Sequence, residues 1–352
     1  MKKKVTIYDV SKKLGVSTAT VNRALNDKPK VSKDTREMVL KAAEEMGYTP
    51  SRTASSLSRT PVNIGVVISC SINEFHDEIV SGAKYALQEF YDFNLRGEVI
   101  TIPEADPIKE YCDKLRRFAA KGFNGIICLP HSDERNMKFL FDDLVEKGLK
   151  VATVTSDISD CQRLFSVRNN GYVAGKMAAE LLHYMVEPGK PVALVTGCRD
   201  TIVHGETIKG FREYTEKYNM NDVGVYEHRD DPNIAYYLAN KIISDYPNLG
   251  GVYLGSANSV TFCKRLCELG VDQQVKIIAS DVFPAMVDMI NTNIVNATIF
   301  QHPFDQARLA VQYMFEYLAE GKKLQNDTKL LDPQVILKSN IELYSGSTPK
   351  DN

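Results

Sequence analysis

Between Gly15 and Asn26 the chain reads GVSTATVNRALN. Ser17, Thr18, Thr20 and Asn22 offer short hydrogen-bonding groups, Arg23 a planar cation and Ala19 a bare methyl. Only Val16, Val21, Ala24 and Leu25 suit burial. A helix with so thin an apolar stripe cannot close a core by itself. It is suited instead to pressing close to a polar surface and exchanging hydrogen bonds with it.

The charge distribution points to what that surface is. Residues 1–60 hold 13 Lys and Arg against 6 Asp and Glu, and the rest of the chain holds 30 against 39. The net charge of −2 therefore hides a basic head on an acidic body, and a basic head predicts a polyanionic partner. With 352 residues, 43% of them hydrophobic, two or three globular domains are expected. No apolar run is long enough to span a bilayer. The opening MKKKVTIYDV is basic but lacks an apolar stretch of signal-peptide length, so a cytoplasmic location is expected. The seven cysteines are scattered, odd in number and without a CxxC pair. They read as reduced thiols, with no metal site and no cofactor expected.

These residues need elements to hold them. Thr6 and Asp9 form a capping-box pattern for a first helix that stops at Gly15. Ser17 caps a second helix. Ser32 caps a third, with Val39, Ala42, Ala43 and Met46 at helical spacing and Gly47 as its stop. This is a helix-turn-helix pattern over residues 1–48. YTPSRTASSLSRTPVN reads as a linker, residues 49–61, in which Ala54 to Leu57 are set for a short helix that needs a partner to persist. From Val62 on, β-rich runs (NIGVVIS, GEVITI, NGIICL, KVATVT, PVALVT, GGVYLG, VKIIAS, NATIFQ) alternate with amphipathic stretches. That alternation predicts an α/β body of parallel sheets with helices on both faces. Its length favours two similar lobes, about 62–165 with 301–330 and 166–300 with 331–341, followed by a polar tail, 342–352. Ligands of open parallel sheets bind beyond the C-terminal strand ends, so two facing lobes would enclose a cleft.

The motifs T-I-x-D-V, GVS-x-x-TV-x-R-x-L, VS-x-x-TR-x-x-V, GY-x-P and A-x-x-L, all within the first 59 residues, resemble the DNA-binding head and hinge of the lactose-repressor (LacI/GalR) family. Residues 62–341 resemble that family's effector domain, which is periplasmic-binding-protein-like (type I). The resemblance implies a homodimer that reads a pseudo-palindromic double-stranded operator through two heads. The second helix would lie in the major groove, with Thr18 and Ala19 at variable base contacts and Arg23 paired to guanine. Ser17, Thr20 and Asn22 would hold phosphates, and the matched motifs add Thr6, Ser32, Thr35 and Arg36. In the hinge, Ser51, Ala54 and Leu57 match, and Leu57 stands where family members wedge a leucine into the minor groove.

For the effector the resemblance implies Asn73, Phe75, Asp157, Asn170, His204, Asn258, Asp281 and Gln301, with His76 beside Phe75. Amides and carboxylates with aromatic walls suit a sugar-like polyol. The family's R-x-x-G-F has Thr207 in place of its Arg. The expected function is a regulator of carbohydrate-utilisation genes, with a purine-type corepressor as the alternative. A cytoplasmic solute-binding protein is disfavoured by the intact head. An enzyme is disfavoured because GxxxxGK[ST], GxSxG and HExxH are all missing from the sequence. The polar C-terminal segment carries no leucine heptads, so a dimer and no coiled-coil tetramer is expected.

Overall fold

A computed structural model describes residues 5–25, 29–48, 60–70, 73–103, 108–131, 134–256 and 258–344. The chain forms two compact units, described in turn.

The small unit is helical: α1 (Ile7–Leu14), α2 (Thr18–Leu25) and α3 (Lys33–Glu45). Thr6 and Asp9 make the reciprocal capping box, and Gly15 at φ 65° ends α1 in the left-handed region. The turn into α2 is closed by Ser11, whose hydroxyl donates to the Val16 carbonyl at 2.7 Å. Val10, Val21, Ala24 and Val39 meet at the centre of the unit. So small a core needs every one of its helices, since none buries enough surface alone.

The large unit holds two six-stranded sheets. The first contains β1 (Val62–Cys70), β2 (Leu95–Pro103), β3 (Gly125–Leu129), β4 (Lys150–Val154), β5 (Phe165–Asn169) and β11 (Thr328–Leu331), in the order β11-β5-β4-β3-β1-β2. The second contains β6 (Pro191–Thr196), β7 (Asn221–Glu227), β8 (Gly251–Leu254), β9 (Lys276–Ser280), β10 (Ala297–Phe300) and β12 (Gln334–Ile336), in the order β12-β10-β9-β8-β6-β7. Every pairing is parallel except β10 with β12. The connecting helices are α4 (Asn73–Glu89), α5 (Ile108–Ala120), α6 (Glu134–Glu146), α7 (Gly171–Met185), α8 (Ile202–Lys217), α9 (Pro232–Asp245), α10 (Ser259–Glu268), α11 (Pro284–Asn291) and α12 (Pro303–Glu320). The central strands are buried from end to end, as parallel strands covered on both faces must be.

The lobe boundary expected at residue 165 lies after Asn169. Phe165–Asn169 is a strand of the first sheet, in register with β4 on one side and β11 on the other. The chain thus passes between lobes after β5, after β10 and between β11 and β12.

Thr207 is explained by the pairing of α7 with α8. A Cβ on Gly210 would stand 2.0 Å from the Tyr172 carbonyl oxygen, and one on Gly175 2.0 Å from that of Thr207. The two backbones touch, and Thr207 lies between them, 3% exposed, its hydroxyl donating to the Val203 carbonyl. Gly210→Ala is expected to cost about 1–3 kcal/mol by overpacking this contact. Chemical denaturation reads it, and an unchanged midpoint would show that the helices have room.

Candidate nucleic-acid interface and ligand cleft

On α2 the helical period buries Val21 and Ala24 and leaves Ala19, Asn22 and Arg23 exposed together. Thr18 and Thr20 are half-buried. This face carries a methyl, an amide and a guanidinium, a set that matches the donors, acceptors and thymine methyl of base edges. Ser17 and Thr20 are engaged locally: Ser17 Oγ accepts from the Thr20 amide at 3.1 Å and pairs with its hydroxyl at 2.9 Å. Ser32 and Thr35 make the same pair at the start of α3, at 2.7 Å between hydroxyls. The Thr6 hydroxyl is bound to Asp9. Arg36 is half-buried. The hydroxyls of Thr6, Ser17, Thr20, Ser32 and Thr35 are thus held in place at the helix starts before any phosphate meets them. Exposed Lys12, Lys30, Lys33 and Lys41 supply positive charge, and Tyr8, 73% exposed and absent from the expected set, adds a phenol. Ser51, Ala54 and Leu57 lie outside the described residues.

In the large unit the C-terminal strand ends of both sheets border one cavity of about 420 Å³. The first lobe contributes Ser69 near the end of β1, Phe75 and His76 on α4, Leu129 at the end of β3 with Pro130 after it, and Thr155 and Ser156 after β4. The second contributes Cys198, Thr201 and His204 after β6, Asp230 after β7, Ser256 and Asn258 after β8, and Asp281 and Phe283 after β9. Gln301 lines it from the crossing that follows β10. Of the expected effector residues, Phe75, His204, Asn258, Asp281 and Gln301 are thus brought together. Asn73 opens α4, and its side chain lies outside the described residues.

Two expected residues do other work. Asp157 is set back from this cavity, bordering a small recess beside it, and its carboxylate is fully engaged. It accepts from Thr153 Oγ1 at 2.8 Å, the Ile158 amide at 3.0 Å and Arg163 Nε at 2.6 Å, and Arg163 in turn donates to the Asp327 carbonyl. It anchors the loop after β4. Asn170 is the N-cap of α7, accepting from the Val173 amide at 3.2 Å.

Backbone strain concentrates at the cleft. Thr155, Asn258 and Asp281 all have φ between 65° and 68°, a conformation that costs non-glycine residues energy and persists where surroundings enforce it. Thr155 Oγ1 and Asn258 Nδ2 are buried without a hydrogen-bond partner among the described residues, one on each side of the cavity. Buried orphan polar groups are uncommon in folded chains, and those that border a cavity can be satisfied by what enters it, whether water, ion or ligand. His204 Nδ1 sits 2.9 Å from the Cys198 carbonyl, which can only accept, so in the neutral ring Nε2 is a bare acceptor.

Asp281 and Gln301 form the centre. Gln301 donates to Asp281 Oδ1 from its backbone at 2.9 Å and to Oδ2 from its side chain at 2.6 Å. Gln301 Oε1 accepts from Asn169 Nδ2 at 3.1 Å, so one amide chain joins the last residue of β5 in the first lobe to the end of β9 in the second. Burial pushes the Asp281 carboxyl up to about 7, against the opposing pull of the Gln301 hydrogen bonds and nearby His302. Sequence reading missed a second link between the lobes: Arg168 on β5 holds Glu206 on α8 through a bidentate pair at 2.5 and 2.9 Å. No local motif marks residues paired across so many positions.

Comparison with known proteins accounts for both units. Residues 6–51 match the description "Bacterial regulatory proteins, lacI family", and residues 64–323 match "Periplasmic binding protein domain". The HTH-type transcriptional regulator RegA of Clostridium saccharobutylicum is 30% identical over 247 residues, 69% of this chain and 68% of RegA. The chain belongs to the lacI family. This lacI-family protein is also 24% identical to the HTH-type transcriptional repressor PurR of Vibrio vulnificus, over 96% of its own length and 98% of PurR. Its large unit shares the fold of a solute-binding protein from Burkholderia graminis solved with D-arabinose, at TM-score 0.73 and 19% identity, over 81% of this chain and 98% of that one. It likewise shares the fold of a myo-inositol-binding protein from Caulobacter, at TM-score 0.71 and 18% identity, over 81% and 97%. As a lacI-family member the protein is a DNA-binding transcriptional regulator. No helix among the described residues is long and apolar enough to cross a membrane.

Proposed function

We propose that this regulator is a cytoplasmic, homodimeric repressor of carbohydrate-utilisation genes, released from its operator or fixed on it by a small polyhydroxyl ligand bound between the lobes. The cleft carries the reading. It sets orphaned Thr155 and Asn258, the Asp281–Gln301 pair and the acceptor His204 around walls that include Phe75 and Phe283. A polyol needs donors and acceptors interleaved and an aromatic face for its C–H surface, and this cavity offers both. In the head, Thr18, Ala19 and Arg23 read bases and Asn22 holds a phosphate, while the hinge residues Ser51, Ala54 and Leu57 act on the minor groove at the operator centre.

Thermal unfolding of the full chain against pentoses, hexoses, myo-inositol, sugar acids, sugar phosphates and nucleobases tests the ligand class. A ligand at about a hundred times its Kd adds about 2.7 kcal/mol, well above detection. Stabilisation by a neutral sugar is the expected result. Stabilisation by a nucleobase alone would replace the polyol with a flat ring and make this a corepressor-dependent regulator.

A further inference from the structure

β7 ends at Glu227, and the chain then reverses. The Asp231 amide donates to the His228 carbonyl at 2.9 Å, and Arg229 and Asp230 between them have φ of 49° and 57°. Two left-handed central residues are the mark of a type I′ turn, here made without glycine. This turn aims the Asp230 amide at His228 Nδ1, 3.0 Å away. An amide N–H can only donate, so Nδ1 is the bare nitrogen and the ring proton sits on Nε2. Nε2 lies 3.0 Å from Ser256 Oγ. Ser256 therefore accepts from His228, and its own proton is directed away from the ring. His228 is 2% exposed, Ser256 8% exposed, and Ser256 borders the cleft.

Ser256, His228 and Asp230 have the composition of a nucleophile relay but the wrong polarity for one. A base would need a lone pair on the nitrogen that faces the serine, and that nitrogen carries the proton. The Asp230 carboxylate is 3.8 Å from Nδ1, on which its own backbone amide is already bonded.

We propose that this lock makes Ser256 a committed hydrogen-bond donor to the effector, with His228 as the positioning residue that selects ligands bearing an oxygen acceptor at that point over ligands bearing an ammonium or N–H group. The inference rests on the cleft being the effector site. It names a specificity element in the second lobe that lies apart from the Asp281–Gln301 pair.

Two measurements test it. Nitrogen-15 NMR of the histidine-labelled full chain at neutral pH, with His228→Gln to assign the ring, reads the tautomer without any ligand. A bare Nδ1 and protonated Nε2 are expected, and the opposite tautomer overturns the lock. Titration of D-arabinose and myo-inositol then reads the donor. For a sugar that binds the unaltered chain, Ser256→Ala should weaken binding about tenfold. His228→Gln, whose side-chain amide still donates, should stay within about threefold, and His228→Leu should match Ser256→Ala with no further loss in the double variant. Unchanged affinity in Ser256→Ala, or independent losses that multiply in the double variant, overturns the proposal. If neither sugar binds the unaltered chain, the variants are titrated with a sugar that stabilises it in the thermal screen; if none does, the polyol reading of the cleft fails, and the tautomer spectrum alone decides the lock.

Discussion

Arg23→Ala is expected to lower operator affinity about 10- to 100-fold and to erase the preference for one base pair in each half-site. Arg23 is exposed on the same face of α2 as Ala19 and Asn22, one helical turn from the former. A guanidinium so placed can pair bidentately with guanine, a contact worth about 1–3 kcal/mol of discrimination. A phosphate contact would behave differently. It would weaken all sequences alike and lower the salt dependence of binding by about one ion. Fluorescence anisotropy against a library of single-base operator variants separates the two, and a uniform loss would remove Arg23 from base readout. The fold of the head should be unaffected, since Val10, Val21, Ala24 and Val39 are untouched.

Asp281→Ala should weaken effector binding about 10- to 100-fold, because it removes a buried carboxylate and strands the Gln301 side-chain amide. Operator affinity without ligand should stay as it was. Asp281→Asn isolates the charge. An amide at 281 donates where the carboxylate accepted, so Gln301 must turn its amide over, and Asn169 must follow. Asn169 Oδ1 is buried without a partner among the described residues, so it can accept the reversed chain. Since burial raises Asp281 from 3.8 to about 7, the native chain holds this proton more tightly than the unfolded chain does. The stability that results is complete below about pH 4 and is lost as pH rises through 7. Without ligand, Asp281→Asn should therefore gain on the unaltered protein between pH 5 and pH 8, by a few kcal/mol at most. A constant difference across that range would mean that Asp281 is ionised throughout.

The head was readable because its signals are local. Thr6 with Asp9, Ser17, Ser32, Gly15 and Gly47 each act within one turn of their own helix, and each stands at the helix end that its residue type predicts. Alternation of strand and helix likewise exposed eight strands, seven of them inside their sheets and one, β2, at an edge. The strands that escaped are β5, β7, β11 and β12: β7 is half-buried after an exposed first residue, FSVRN is buried but carries Ser, Arg and Asn, TKLL carries a Thr and a Lys at the sheet edge, and QVI spans only three residues. The cleft was legible only in part. Asp281 and Asn258 stand within four residues of a strand end, but so does Asp157, and nothing local shows that Arg163 has claimed it. His228 and Ser256 are 28 positions apart and meet only because β7 and β8 flank β6. Which nitrogen of that histidine is bare depends on a turn whose left-handed residues are not glycine.

The most direct test of ligand-controlled operator binding is selection of genomic DNA fragments by the full-length protein, in the presence and absence of each sugar that stabilises it, read by sequencing. The account predicts enrichment of a pseudo-palindrome whose recovery rises or falls at least tenfold with one of those sugars. Enrichment indifferent to every sugar that binds the cleft would contradict it.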